Sequence, residues 1–181
     1  MSSLTKTINN VIVELFVGDY INTHYDAMVI PSNSRLLPSG KLRCYVLRNA
    51  GSSVQIECNR IINKLCTIPV GQAIMTSGGN LKTNYIIHII TPKINLPKPA
   101  KKLMMATWNC LKLANKMGLT SILFPPFSSD LLGFDADLCA KTLIPTIHKF
   151  LTENNQNLKN VSICLEDLSE YNAFETVLKD L

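Results

Sequence analysis

The sequence predicts an α/β domain in three layers, α/β/α, built on a mixed, largely parallel sheet of about six strands with helices on both faces. Short runs of β-branched and aromatic residues alternate along the chain with longer segments of helical periodicity, the pattern of strands joined by crossover helices. One run, Ala27 to Pro31, is apolar throughout, as a strand covered on both faces must be. A chain of 181 residues, 46% hydrophobic and 17% charged, supplies one core and is short for two, so a single domain over residues 1–181 is expected.

Each element has its own signal. Val11 to Val17 reads as a strand ended by Gly18-Asp19, and Ala27 to Pro31 as the second. Leu42 to Ala50 fits a helix closed by Gly51. Ser52 or Ser53 then caps a second helix to about Leu65, with Val54, Ile56, Ile61, Ile62 and Leu65 expected inward. Gln72 to Ser77 and Tyr85 to Thr91 form a strand pair joined at Gly78-Gly79-Asn80. Pro99 opens a helix to Met117 whose apolar stripe is Leu103, Ala106, Cys110, Leu113 and Ala114; Gly118 stops it before the strand Ser121 to Phe124. Ala136 to Leu151 is helical, with Pro145 expected to kink or locally break it. Val161 to Leu165 is the last strand and Ser169 to Leu178 the last helix.

Composition narrows the class. Met1 to Asn10 is polar and no apolar run approaches a bilayer's thickness, so an intracellular protein, cytoplasmic or nuclear, without membrane attachment is expected. The six cysteines lack any Cys-x-x-Cys pair, which argues against a zinc site or a disulfide framework. The net charge of +5 includes the lysines of Pro92 to Lys102, a segment without interleaved aromatics that reads as a solvated loop rather than a nucleic-acid groove. A basic balance also suits a polyanionic ligand.

In sheets of this kind ligands bind beyond the carboxyl ends of the strands, which selects the loops Gly18 to Thr23, Asn33 to Arg43 and Phe127 to Phe134. With Gly18-Asp19, the stretch Asp26 to Gly51 and Phe124-Pro125-Pro126-Phe127-Ser128-Ser129, the chain resembles the macrodomain family, whose members recognise ADP-ribose; the likeness runs from Val13 to about Leu178. The resemblance implies that Asp19 accepts from the adenine amine while the Tyr20 N–H serves a ring nitrogen; the structural rival is that Asp19 caps a short helix starting near Ile21. It implies that Asn33, matching the second asparagine of an Asn-Ala-Ala-Asn motif, holds the distal ribose, the rival being a turn made by its own amide. The rest of that motif is Ile30, Pro31 and Ser32 here, and of the family's glycine run only Gly40 stands, in Pro38-Ser39-Gly40-Lys41.

The diphosphate loop of the resemblance is Ser128-Ser129-Asp130-Leu131-Leu132-Gly133, followed by Phe134. Ser128, Ser129 and Gly133 offer donors to phosphate oxygens, and Leu131 and Phe134 belong to the ligand loop. Asp130 would repel a diphosphate unless it caps, points to solvent or pairs with Lys41, Arg43 or Arg35. Phe134, Tyr20 or Phe127 would have to stack on adenine, because Glu166 stands where relatives have an aromatic. Arg43 and Leu47 stand where hydrolases of the family have an aspartate and a histidine, and neither can activate water. His24, His88 and His148 lie on different elements, His88 inside a strand. The expectation is a monomeric module that binds ADP-ribose or mono-ADP-ribosylated protein without metal, further cofactor or catalysis. Its alternatives are an ADP-ribosyl hydrolase, and a diverged macrodomain that has lost ADP-ribose and serves as an interaction or RNA-binding module.

Overall fold

A computed structural model describes residues 3–126, 128–131 and 133–181, with Ser129 through its backbone only. Seven strands form one sheet: β1 (Ser3–Ile8), β2 (Val11–Val17), β3 (Ala27–Ser32), β4 (Ala73–Ser77), β5 (Tyr85–Ile90), β6 (Ser121–Phe124) and β7 (Asn160–Leu165). Their order is β1-β2-β7-β6-β3-β5-β4. The five inner strands run parallel, and the two edges, β1 on β2 and β4 on β5, are antiparallel. Successive parallel strands are joined by connections that include a helix or a long loop, and all five carboxyl ends lie along one rim.

The strand beyond the six expected is β1. Its sequence, Ser-Leu-Thr-Lys-Thr-Ile, is polar because alternate side chains face water on an edge strand, and its pairing, Ile8 opposite Val11, is set by the tight Asn9-Asn10 connection. β3 sits in the middle and is buried at all six positions, as its unbroken apolar sequence requires.

Two helix groups flank the sheet. α1 (Lys41–Ala50) packs on α2 (Ser52–Leu65), while α4 (Ala136–Glu153) packs on both α3 (Pro99–Lys116) and α5 (Leu168–Lys179). Helix α4 runs unbroken through Pro145. In α2 the inward stripe is narrower than expected: Val54 and Cys58 are buried, Ile61 and Ile62 partly so, and Ile56 and Leu65 are exposed. An edge helix packed mainly on α1 and β4 covers one turn-to-turn row, and an apolar residue outside that row stays in water. Gly51, at φ 84°, rather than either serine, joins the two helices: its N–H caps Leu47 O at the end of α1 and it stands as N-cap of α2. All six cysteines are free thiols. Among the described residues no helix is long and apolar enough to cross a membrane.

Candidate functional site

Two adjoining cavities open along the rim of strand carboxyl ends. One, of about 450 Å³, is lined by Asn33, Ser39, Gly40, Lys41, Lys93 and Asp130 among others. The other, of about 590 Å³, is lined by Asp19, Tyr20, Lys41, Tyr45, Pro126 and Glu166 among others. Lys41, the first residue of α1, borders both. Together they make a cleft with the N-terminus of α1 at its middle.

Asp19 and Tyr20 follow β2 directly. The Asp19 carboxylate accepts from the Ile21 N–H (2.8 Å), the Asn22 N–H (3.1 Å) and Asn22 Nδ2 (2.6 Å). The Asn22 side-chain amide, then its backbone N–H, hold the Asp19 carboxyl below the usual aspartate range. No helix forms at Ile21; Asp19 closes a turn and keeps room for one further donor, since a carboxylate has about four acceptor positions and three are in use. Tyr20 is half-buried and packs edge-on against Tyr45, ring centroids 6.1 Å apart. Burial, then Tyr45, pushes its phenol up to about 12. Tyr45 was not singled out by the sequence reading, although its spacing from Lys41 on α1 places both on one side of the helix.

Asn33 follows β3, and its amide is fully engaged in the loop it starts. Oδ1 accepts from the N–H groups of Arg35 (3.1 Å) and Leu37 (3.0 Å), while Nδ2 donates to Leu37 O (2.8 Å) and Ser39 Oγ (2.9 Å). The turn-making role is therefore realised, and both amide hydrogens are committed to it.

Helix α1 begins with an electrostatic deficit. Its N-cap is Gly40, which has no side chain to accept, its first turn contains no acid, and Lys41 and Arg43 place cations at the positive end of the helix dipole. Asp130 makes up the deficit from across the cleft. Its Oδ1 accepts from the Leu42 N–H (3.1 Å) and its Oδ2 from the Arg43 N–H (2.9 Å). The contact is close enough that a Cβ on Gly40 would stand 2.5 Å from Asp130 Oδ2. Asp130 thus caps, one of the outcomes the sequence left open, but it caps a helix 87 residues away rather than its own loop.

Two of the expected partners of Asp130, Lys41 and Arg43, are engaged otherwise. Lys41 Nζ pairs with Glu166 Oε1 at 3.3 Å, Arg35 is exposed, and the Arg43 guanidinium turns inward, away from the cleft. Arg43 is fully buried. It donates to Leu37 O through Nε (3.0 Å), to Leu36 O through Nη2 (2.8 Å), and through Nη1 to Ser32 Oγ (2.6 Å) and His88 Nδ1 (2.9 Å). A guanidinium only donates, so His88 Nδ1 is the acceptor, the ring proton sits on Nε2, and Nε2–H donates to Thr76 Oγ1 (2.9 Å). Burial, with Arg43 beside it, drives the His88 pKa well below its ordinary value, and the imidazole is neutral. Burial likewise lowers the Arg43 pKa, but the group stays protonated. This buried cation locks α1 to β3 and β5.

Of the remaining loop residues, the described Ser128, Leu131, Gly133 and Phe134 are not among those that line the cleft. Ser128 donates its hydroxyl in a short bond to the buried Glu170, which also accepts the Glu166 N–H (2.6 Å). Leu131 and Phe134 are buried in the core rather than turned to a ligand, because each finds an apolar seat beneath the loop. Gly133, at φ 85°, lies against Ile94, where an added Cβ would come within 2.2 Å of the isoleucine Cγ2. Phe127, Leu132 and the Ser129 side chain lie outside the described residues. Among the described residues no group of three or more His, Cys, Asp or Glu could hold a metal.

The chain is similar to known proteins in sequence and in fold. The Macro domain family profile matches residues 29–143. A macro domain-containing protein of Listeria monocytogenes is 34% identical over 166 residues, spanning 88% of this chain and 94% of the relative. A Pantoea vagans protein named O-acetyl-ADP-ribose deacetylase 1 is 27% identical over 168 residues, spanning 92% and 98%. Among solved structures, a mutant of the Oceanobacillus iheyensis macrodomain with ADPR superposes with a TM-score of 0.92 at 28% identity, covering 99% of this chain and 98% of that one.

Proposed function

The chain belongs to the Macro domain family, and from that premise we propose that it is a binding module for ADP-ribose, free or attached to protein. The observation that carries this is the paired cleft: two cavities of about 590 and 450 Å³ sharing Lys41, at the carboxyl ends of parallel strands, with a helix N-terminus between them. The larger cavity takes the adenine, where Asp19 retains an acceptor for an exocyclic amine and the Tyr20–Tyr45 pair offers an aromatic wall. The diphosphate lies over the α1 N-terminus, where the helix dipole favours an anion and Asp130 holds the Leu42 and Arg43 N–H groups. The distal ribose reaches the smaller cavity, held by backbone groups around Gly40 and by Ser39 rather than by the committed Asn33 amide. Support comes also from the Oceanobacillus iheyensis neighbour, which was solved with ADPR.

A hydrolytic role is the second reading, favoured by the relative named as a deacetylase. The position where the resemblance implies a carboxylate offers no base: Arg43 is protonated and faces inward, and neutral His88 is sealed beneath it. Isothermal titration with ADP-ribose, on the wild type and Asp19→Ala, tests the proposal. Saturable binding lost in Asp19→Ala upholds it, and absence of heat at millimolar ligand overturns it. Release of product from a mono-ADP-ribosylated protein would transfer the case to the second reading.

A further inference from the structure

We propose that Asp130 is a built-in competitor for the phosphate position, so that a diphosphate enters this cleft only by displacing the protein's own carboxylate. The inference rests on the binding reading above and deepens it, because it fixes which part of a ligand the site rewards.

The N–H groups that would receive a phosphate oxygen are those of the first turn of α1, and two of them, at Leu42 and Arg43, already donate to Asp130 at 3.1 and 2.9 Å. These are charge-assisted bonds, stronger than neutral ones. The carboxylate lies so close over Gly40 that there is no space for a second anion there while it remains. On the facing loop the Ser128 hydroxyl is given to Glu170, so this donor too is satisfied within the protein. Lys41 and Glu166 also bridge the cleft, but that pair is largely exposed and held weakly. Asp130 is therefore the contact that decides. A phosphate arriving with Asp130 in place meets like charge at contact range, and one that displaces it exchanges one set of charged hydrogen bonds for an equivalent set. Either way the diphosphate adds little to affinity. Asp130 is not among the residues that line the adenine cavity.

The site thus selects on the nucleoside end of its ligand, and Asp130 is the specificity-determining residue. The test is titration of the wild type, Asp130→Asn and Asp130→Ser with adenosine, ADP and ADP-ribose, each protein first shown to be folded by thermal unfolding. Asp130→Asn keeps an oxygen over the helix and removes the charge; Asp130→Ser clears the space. In the wild type the three ligands should bind within about threefold of one another. In both variants ADP and ADP-ribose should tighten by about tenfold or more, a change of ~1.4 kcal/mol, with adenosine unchanged. Wild-type binding of ADP-ribose that the variants leave equal or weaken overturns the inference and leaves the binding reading standing. A gain shared by adenosine overturns it as well, since the effect would then be loosening of the fold. Binding of no ligand by any of the proteins removes both.

Discussion

Replacing Arg43 by alanine should destabilise the fold by about 2–4 kcal/mol, a value that follows from what each acceptor keeps. Four bonds to a charged donor, at roughly 1.5–3 kcal/mol each, would sum to well over that. The sum overcounts because the acceptors have other donors. Leu37 O still receives Asn33 Nδ2 at 2.8 Å, Leu36 O still receives Gln55 Nε2 at 3.3 Å, and Ser32 can turn its hydroxyl toward His88 Nδ1, 3.4 Å away. What remains is the cavity left by the largest fully buried side chain, and the loss of the lock between α1, β3 and β5. Against it stands relief from burying a guanidinium without a carboxylate partner. Arg43→Met fills much of the space without charge and should lose about 1–2 kcal/mol less than alanine, whereas Arg43→Asp sets a carboxylate against the carbonyls of Leu36 and Leu37 and should be the least stable of the three. Urea unfolding monitored by circular dichroism at pH 7.5 measures all three. A loss under about 1 kcal/mol for Arg43→Ala, or an Arg43→Asp protein as stable as wild type, would refute the argument that this network holds α1 to the sheet.

Other consequences are open to measurement. His88 is neutral when folded and has a pKa depressed well below 6.5, so below that pH the unfolded chain binds a proton the native state does not. The stability His88 supports is therefore complete above pH 6.5 and falls with acidification, by up to ~1.4 kcal/mol per pH unit; unfolding curves from pH 7 to 5 should show this slope, and His88→Asn should flatten it. The Asp26 carboxylate accepts from the Thr120 N–H (2.7 Å), Thr120 Oγ1 (2.9 Å) and the Ser121 N–H (3.1 Å), tying the start of β3 to that of β6; Asp26→Ala should cost ~1–3 kcal/mol in chemical denaturation. Gly79 and Gly118 both have positive φ, but an alanine Cβ would strike Ala50 O at 2.1 Å in the first and meet nothing in the second. Gly118→Ala should lose about 1 kcal/mol for conformation alone, and Gly79→Ala about 1–3 kcal/mol more, read as a lower melting temperature.

The apolar pattern of the chain was enough to place six of the seven strands and all five helices within a few residues, because burial on one or both faces is written as local periodicity. β1 escaped because an edge strand with one wet face carries half that signal. The loops of the site were equally legible, since strand ends in a parallel sheet mark them without reference to which residues they hold. What each polar side chain does there was not. Asp19, Asn33 and Asp130 each had two or three sound partners on paper. For Asn33 the amide went to its own loop; Asp130 went to a helix start 87 residues earlier in the chain. Arg43 seemed available to the cleft until the packing of α1 on β3 and β5 gave its guanidinium four acceptors inside. Composition and spacing thus determined that this protein has a parallel sheet with a cleft at its carboxyl rim. Which donors in that cleft stay free for a ligand was decided only by the tertiary structure, because a hydrogen bond depends on fractions of an ångström between segments that chain order does not bring together.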